Sequence, residues 1–323
     1  MTTKLQYGAL SAAVGLVLLG TTALPAFADS TLVVGKANAT SDAIIPVNVG
    51  DELGIFKKHG LTLKIEEFGG GGKMAQALAA GSIDIGDGAG TEMAFVAKGA
   101  PMMTVCESTA PAPFLGIGVP WDSPIKTLDD LRGKRIGVSS PGSFSEWSAH
   151  VLARKKGWGE NGVTTIAIGG GAAPTIAAFK THQVDASIGS TSQYLAMEEK
   201  KEGRLLTPVS SYEGNVASGA LFASNDIIAK NPDAVRAFLA AWIETVAYMR
   251  THKAETVKIE TGITHFSEAV MSREYDLVIG MYVKDCRFDK ESLDTLKASF
   301  AELKLLDHEP DMSKLYTEKF LPR

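Results

Sequence analysis

Short apolar runs alternate with longer segments of helical periodicity from residue 31 onward, and this alternation constrains the fold more than any other feature of the chain. Residues 31–36 and 61–68 have the pattern of strands. Residues 42–59 between them have the pattern of one helix, which ends at Gly60, a natural C-terminal stop. The alternation continues with a helix, a strand, a helix and a strand at residues 73–80, 83–85, 91–98 and 102–106. Such repetition favours a mostly parallel sheet with helices on both faces.

The same pattern restarts further along the chain. A helical turn is followed by three strands, each with a helix after it, at residues 128–131, 135–139, 145–156, 163–168, 174–181, 184–188 and 193–201. Two further apolar strands, residues 115–119 and 217–223, lie before and after this second unit, and we interpret them as crossover strands between the two units. Beyond residue 225 the chain is mainly helical, with predicted helices at residues 232–251, 267–271 and 293–303. The sequence therefore predicts an α/β protein of two successive units.

The first residues have the three-part build of a secretory signal. Lys4 gives a positive start, residues 8–20 form an apolar run without charge, and residues 26–28 form a small-x-small site, so we expect cleavage before Asp29. A transmembrane anchor is the alternative, but the run is shorter than the roughly 20 residues that span a bilayer. No cysteine follows the run to carry a lipid anchor. The mature protein, from residue 29, is expected to be soluble outside the cytoplasm, most simply in a periplasm.

Charge and cysteine content narrow the classes of partner and cofactor. The formal net charge is −5, and no basic run exceeds a few residues, which argues against nucleic acid and anionic lipid as partners. The two cysteines, Cys106 and Cys286, lie far apart and lack metal-ligand spacing. We expect two buried or partly buried thiols, with a disulfide as the alternative, because the sequence does not fix the geometry of a bridge. No metal and no cofactor is predicted.

Glycine and small hydroxyl residues concentrate where predicted strands give way to helices. These loops are residues 37–41, 69–72 and 88–91 in the first unit and residues 139–143, 169–171 and 189–192 in the second. Glycine and serine let the backbone approach a ligand, and a helix start offers unpaired N–H groups. A tight turn without a ligand explains each loop taken singly. Because ligands of open α/β sheets bind at the carboxyl ends of strands, the set together predicts a binding site. Apart from Lys73 the loops hold almost no cation, so they suit recognition by the backbone.

No catalytic motif is evident in the sequence. None of the six histidines lies in the glycine loops, and neither a nucleophile elbow nor a phosphate-binding loop is present. Glu92 opens a helix and is interpreted as its cap in preference to a ligand contact. Phe144 could equally be a pocket wall or core, whereas Trp147 is expected in the core.

Several segments resemble one family of proteins. These segments are GDELGIFKKHGL at residues 50–61, ALAAGSIDIG at 77–86, SPIKTLDDLRGKRIGV at 123–138, FKTHQVDA at 179–186 and NPDAV at 231–235. In this order they are similar to the signatures of nitrate/sulfonate/taurine-type (SsuA-like) solute-binding proteins of ABC importers.

The resemblance implies a type II periplasmic binding protein fold. One lobe would comprise residues 29–117 and 219–323 and the other residues 118–218, each a mixed sheet flanked by helices. The lobes would close on a small polar or anionic organic solute, such as a sulfonate or carboxylate, and a monomer would deliver it to a membrane permease and its ATPase. The ligand contacts that the resemblance implies are Asn38, Thr40, Gly71, Gly72, Gly90, Thr91, Ser140, Ser143, Gly170 and Ser190.

Two other functions stay open at this point. An exported enzyme on the same fold would need a nucleophile or base in the cleft. A sensory binding module would present its ligand to a membrane receptor, and the sequence does not separate it from a transport protein.

Overall fold

Ten strands form two five-stranded sheets in the computed structural model, which describes residues 1–2, 30–38, 42–159 and 161–323. The predicted signal and its cleavage site before Asp29 lie outside the described residues. The first sheet contains β1 (Ser30–Lys36), β2 (Leu61–Glu67), β3 (Ile85–Ala89), β4 (Met102–Thr109) and β10 (Gly219–Ser224). The second contains β5 (Leu115–Pro120), β6 (Arg135–Val138), β7 (Thr164–Ala167), β8 (Ala186–Ser190) and β9 (Gly203–Pro208).

The two sheets share one topology. Their strand orders are β2-β1-β3-β10-β4 and β7-β6-β8-β5-β9. The fourth strand of each sheet, β10 or β5, is one of the two predicted crossover strands. That strand runs antiparallel to its neighbours, whereas the first three strands of each sheet are parallel to one another. Two mixed sheets flanked by helices confirm the predicted fold class.

Thirteen α-helices of the described residues surround these sheets. They are α1 (Pro46–Glu52), α2 (Ile55–Lys58), α3 (Gly71–Ala79), α4 (Met93–Ala97), α5 (Phe144–Lys155), α6 (Ala172–Lys180), α7 (Thr191–Glu199), α8 (Ser210–Glu213), α9 (Asn225–Lys230), α10 (Pro232–Thr251), α11 (Lys253–Thr264), α12 (Glu268–Val278) and α13 (Lys290–Glu302). Short 3₁₀ turns precede α1 and α4. Within the described part of the chain, no helix combines the length and the apolar character that a membrane span requires.

The prediction of one helix over residues 42–59 is wrong. Gly54 has φ +69°, a left-handed conformation that interrupts the helix and separates α1 from α2. Both pieces still bury apolar side chains, which is why the periodicity continued through the break. The strand β9 and the helix α11 were not predicted, and each follows directly on a predicted helix.

The chain changes sheets twice. It leaves the first sheet after β4, enters the second at β5, and returns from β9 to the first sheet at β10. The two predicted crossover strands therefore each belong to one sheet, β5 to the second and β10 to the first.

The two cysteines form a disulfide, so the expectation of two unpaired thiols is wrong. Cys106 and Cys286 are 180 residues apart in sequence, yet their Cα atoms lie 4.6 Å apart. The chain beyond α12 runs along the outer edge of β4, the last strand of the first sheet. There Glu107 N donates to Cys286 O at 3.1 Å and Val283 N donates to Ser108 O at 3.0 Å. The sequence could not show this pairing, because it depends on where the chain beyond α12 docks.

Candidate functional site

The loops that follow β1, β2 and β3 lie next to one another at one edge of the first sheet. Gly70 N donates to Ala37 O at 2.8 Å and so joins the loop after β2 to the loop after β1. Ala37 N in turn donates to Asp87 O at 2.9 Å on β3. Among the predicted ligand contacts here, Asn38 is exposed, and Thr40 lies outside the described residues.

Glu92 lies beneath the glycine loop after β2. Its Oε2 accepts from Ala89 N at 2.5 Å, as the capping interpretation predicts. A Cβ atom at position 71 would lie 2.0 Å from Glu92 Oε1, so only glycine leaves room for the carboxyl group there. Burial raises the pKa of Glu92 to about 7, although the hydrogen bond from Ala89 opposes this shift.

The other predicted contacts of the first sheet differ in exposure. Gly72 is exposed on the first turn of α3, whereas Gly90 and Thr91 are buried. Gly90 packs against the backbone of Ala217, and Gly90 N donates to Ser218 O at 3.2 Å, directly before β10. The loop after β3 is thus joined to the chain that returns from the second sheet.

Sequence reasoning missed a buried lysine at the end of β1. Lys36 is 0% exposed, and its Nζ donates to Asn48 Oδ1 at 2.5 Å. Asp87 is its register partner on β3 and is also fully buried. Burial lowers the pKa of Lys36 and raises that of Asp87 well above its usual range, and the charge of each partly offsets the shift of the other. A lysine closing an apolar strand was the signal that could have shown this pair.

In the second sheet, serines crowd the loop after β6. Ser145 Oγ lies 3.1 Å from Ser139 Oγ and 2.9 Å from Ser143 Oγ. Ser143 caps α5 by accepting from Glu146 N at 3.3 Å, and Glu146 Oε2 accepts from Gly142 N at 2.6 Å. Ser140 is exposed beside them.

The loops after β7 and β8 are linked through buried side chains. Thr175 Oγ1 donates to Gly171 O at 2.9 Å and accepts from Gln193 Nε2 at 3.5 Å. Ser190 caps α7, and Glu274 from α12 accepts from Ser192 N at 2.9 Å in the first turn of the same helix. Gly170 is exposed, with space around it.

The segment that follows β9 adds two residues that the sequence did not single out. Val209 N donates to Leu115 O at 3.0 Å, next to the bond from Thr191 N to Phe114 O at 2.8 Å, so this segment and the start of α7 are held by the same stretch of chain. Tyr212 and Glu213 lie here. Burial raises the pKa of Glu213 to about 8, an effect that the nearby Ser148 hydroxyl opposes.

Apart from Thr40, the predicted residues therefore lie in two groups, one at the carboxyl edge of each sheet. The aromatic residues beside them are both buried: Phe144 packs against Trp147 with ring centroids 5.1 Å apart. Trp147 is a core residue, as expected. Among the described residues, no cluster of histidine, cysteine and carboxylate side chains has the arrangement of a metal site.

Comparison with known sequences gives one family. The sequence model described as NMT1/THI5 like matches residues 42–256, about two thirds of this chain. A protein of Brucella abortus described as a binding protein is 24% identical over 237 residues, which cover 70% of this chain and 69% of that protein.

Comparison with solved structures shows the fold. The periplasmic aliphatic sulphonate binding protein SsuA from Escherichia coli superposes with a TM-score of 0.73 at 21% identity, covering 89% of this chain and 92% of that one. The desulfurization enzyme DSZB superposes with a TM-score of 0.63 at 14% identity, covering 90% and 97%. The fold is therefore shared by a binding protein and an enzyme, and the choice between them depends on the site.

Proposed function

The chain belongs to the NMT1/THI5-like family, and from this premise we propose that it is the solute-binding component of an ABC-type import system. One observation carries the proposal. Each of the two sheets has the same strand order, and in each the loops rich in glycine and serine lie together at the carboxyl ends of the parallel strands. Ligands of open α/β sheets bind at these edges, and two such edges joined by crossover segments can close around one small molecule.

The division into a discontinuous lobe of residues 29–117 and 219–323 and a second lobe of residues 118–218 is part of this proposal. So are the ligand contacts of the loops, from Asn38, Thr40, Gly71, Gly72, Gly90 and Thr91 in one lobe and from Ser140, Ser143, Gly170 and Ser190 in the other. A monomer would carry a small polar organic solute to a permease and its ATPase. The names of the binding proteins among its relatives support this role.

Residence in a periplasm is proposed as well. The predicted signal supports it, and the Cys106–Cys286 disulfide is of a kind that persists in oxidising compartments. Fractionation of cells that express the full chain, with mass spectrometry of the purified protein, tests this point. The expected mature N-terminus is Asp29.

Binding is tested by thermal denaturation of the purified protein against a broad array of small polar solutes, with mass spectrometry of any solute that copurifies. A ligand that binds only the folded protein raises its apparent stability. Ser140→Trp should abolish the response by filling the cleft, whereas Ser82→Trp, on the exposed turn between α3 and β3, should not. The proposal fails if no solute stabilises or copurifies. Turnover of a solute that stabilises the protein would favour an enzyme instead.

A further inference from the structure

Two neighbouring side chains between β9 and β10, Tyr212 and Glu213, have buried oxygen atoms that lack a hydrogen-bond partner within the described part of the chain. Glu213 is 4% exposed, and neither of its carboxyl oxygens has a hydrogen-bond partner among the residues that the structure describes. The buried hydroxyl of the adjacent Tyr212 also lacks one within the same set. Buried polar groups are nearly always satisfied, so a neighbouring pair that is not calls for a functional explanation.

Tyr212 and Glu213 lie at the same edge of the second sheet as the loops at the carboxyl ends of its parallel strands. β8 and β9 both pair antiparallel with β5, so the chain leaves both strands at the same edge. α8, which carries both residues, packs against α5. The Ser148 hydroxyl of α5 lies near the Glu213 carboxyl group but donates its proton to Phe144 O at 2.9 Å. Glu213 thus lies beside α5, the helix that begins at the loop after β6.

The protein's own carboxyl groups lie at three of the helix starts that follow the strand-end loops of the two sheets. Glu146 accepts from Gly142 N before α5, and Glu274 accepts from Ser192 N in α7. Glu92 lies against Gly71 at the start of α3. A helix N-terminus is the usual place for an anionic ligand. At α5 and α7 an internal carboxylate accepts from the backbone there, and at α3 the Glu92 carboxyl group fills the space beside Gly71.

We propose that the solute of the cleft carries a protonated nitrogen, and that Glu213 receives it with Tyr212 as a second acceptor. An ammonium or guanidinium group offers several N–H donors, and a bond to an ionised carboxylate is charge-assisted and therefore strong. The inference rests on the proposed binding function and names its ligand class, which differs from that of a sulphonate binder.

The test uses two panels of probes on the purified wild-type chain. Ethylamine, putrescine and agmatine are the cations, and ethanesulfonate and propionate are the anions. Thermal denaturation screens both panels, and titration calorimetry measures affinity for each probe that stabilises the protein. At least one cation is expected to bind, and the anions are not.

Glu213→Gln keeps the shape of the side chain and removes its charge. It should weaken binding of the cation by at least about 30-fold, because a buried charge pair loses one partner. Tyr212→Phe should cause a smaller loss, of about tenfold. Glu52→Gln, an exposed carboxylate on α1, is the matched control and should bind as the wild type does.

Circular dichroism of each variant establishes that it is folded. Selective binding of an anion or of an uncharged solute, or cation binding that Glu213→Gln leaves unchanged, overturns this inference and leaves the binding function intact. Failure of every solute in the broad array overturns the binding function itself.

Discussion

The indole nitrogen of Trp147 donates a hydrogen bond to Glu302 Oε2 at 2.9 Å. Trp147 lies on α5, beside the second sheet, and Glu302 is the last residue of α13, whose Leu296 packs on Gly90 of the first sheet. Arg154, about two turns further along the same face of α5, also donates to Glu302. One carboxylate therefore ties a helix of the second sheet to a helix that contacts the first.

Glu302→Ala should reduce the free energy of unfolding by about 1–3 kcal/mol, because it leaves the indole N–H of Trp147 buried without a partner. Trp147 is 1% exposed, so water cannot readily replace the carboxylate. Urea denaturation followed by tryptophan fluorescence measures the change. Glu291→Ala, an exposed residue in the first turn of the same helix, should cost less than about 1 kcal/mol. Equal losses in the two variants would contradict the role given to Glu302.

Two adjacent glycines should respond differently to the same substitution. Gly71→Ala places a methyl group against the Glu92 carboxyl and should break its bond to Ala89 N, at a cost of about 1 kcal/mol. At Gly72 a Cβ atom meets nothing within 4 Å, so Gly72→Ala should be neutral or stabilise α3 by about 0.5–1 kcal/mol. Thermal denaturation of the two variants compares them directly. A more stable Gly71→Ala protein would show that Glu92 is not fixed there.

Stability should fall as pH rises from about 5 to 7, in part because of Glu107. Its carboxyl group accepts from Ser292 Oγ at 2.7 Å and from Asp289 N at 2.9 Å, and burial raises its pKa from 4.5 to about 7. In this window the unfolded chain has lost the proton and the folded protein retains it, so unfolding releases a proton and becomes easier as pH rises.

Glu107→Gln cannot titrate and should flatten this dependence, by roughly 1 kcal/mol per pH unit. Urea denaturation at pH 5, 6 and 7 gives the slope for the wild type and the variant. The exposed Glu66→Gln supplies the reference for surface carboxylates. Parallel slopes for the wild type and Glu107→Gln would show that Glu107 is ionised throughout the window.

The disulfide should contribute strongly to stability because it closes a long stretch of chain. Cys106 and Cys286 are 180 residues apart and both are fully buried. The double variant Cys106→Ser, Cys286→Ser should lose about 2–5 kcal/mol, mainly because its unfolded chain is less restricted. Denaturant midpoints with and without a reductant measure this. Reductant should lower the midpoint of the wild type and leave that of the double variant unchanged.

Much of the architecture could be predicted from the sequence because it depends on local signals. The helix α10 begins at Asn231-Pro232, where Asn231 Oδ1 caps the chain and proline is tolerated in the first turn, and its predicted bounds were correct. The Glu92 cap was likewise visible, since its partner Ala89 lies three residues away. The break at Gly54 was missed because apolar residues keep helical spacing on both sides of it.

The candidate site was only partly predictable, for a physical reason. Local signals in the sequence are enough to predict the two α/β units and the glycine and serine loops at strand ends, because periodicity, caps and turns act over a few residues. Long-range packing places Lys36 beside Asp87, brings Glu274 to Ser192 on α7, and buries Glu213 beside α5. These relationships, like the disulfide, join positions far apart in the chain, and strand order and the two changes of sheet bring them together.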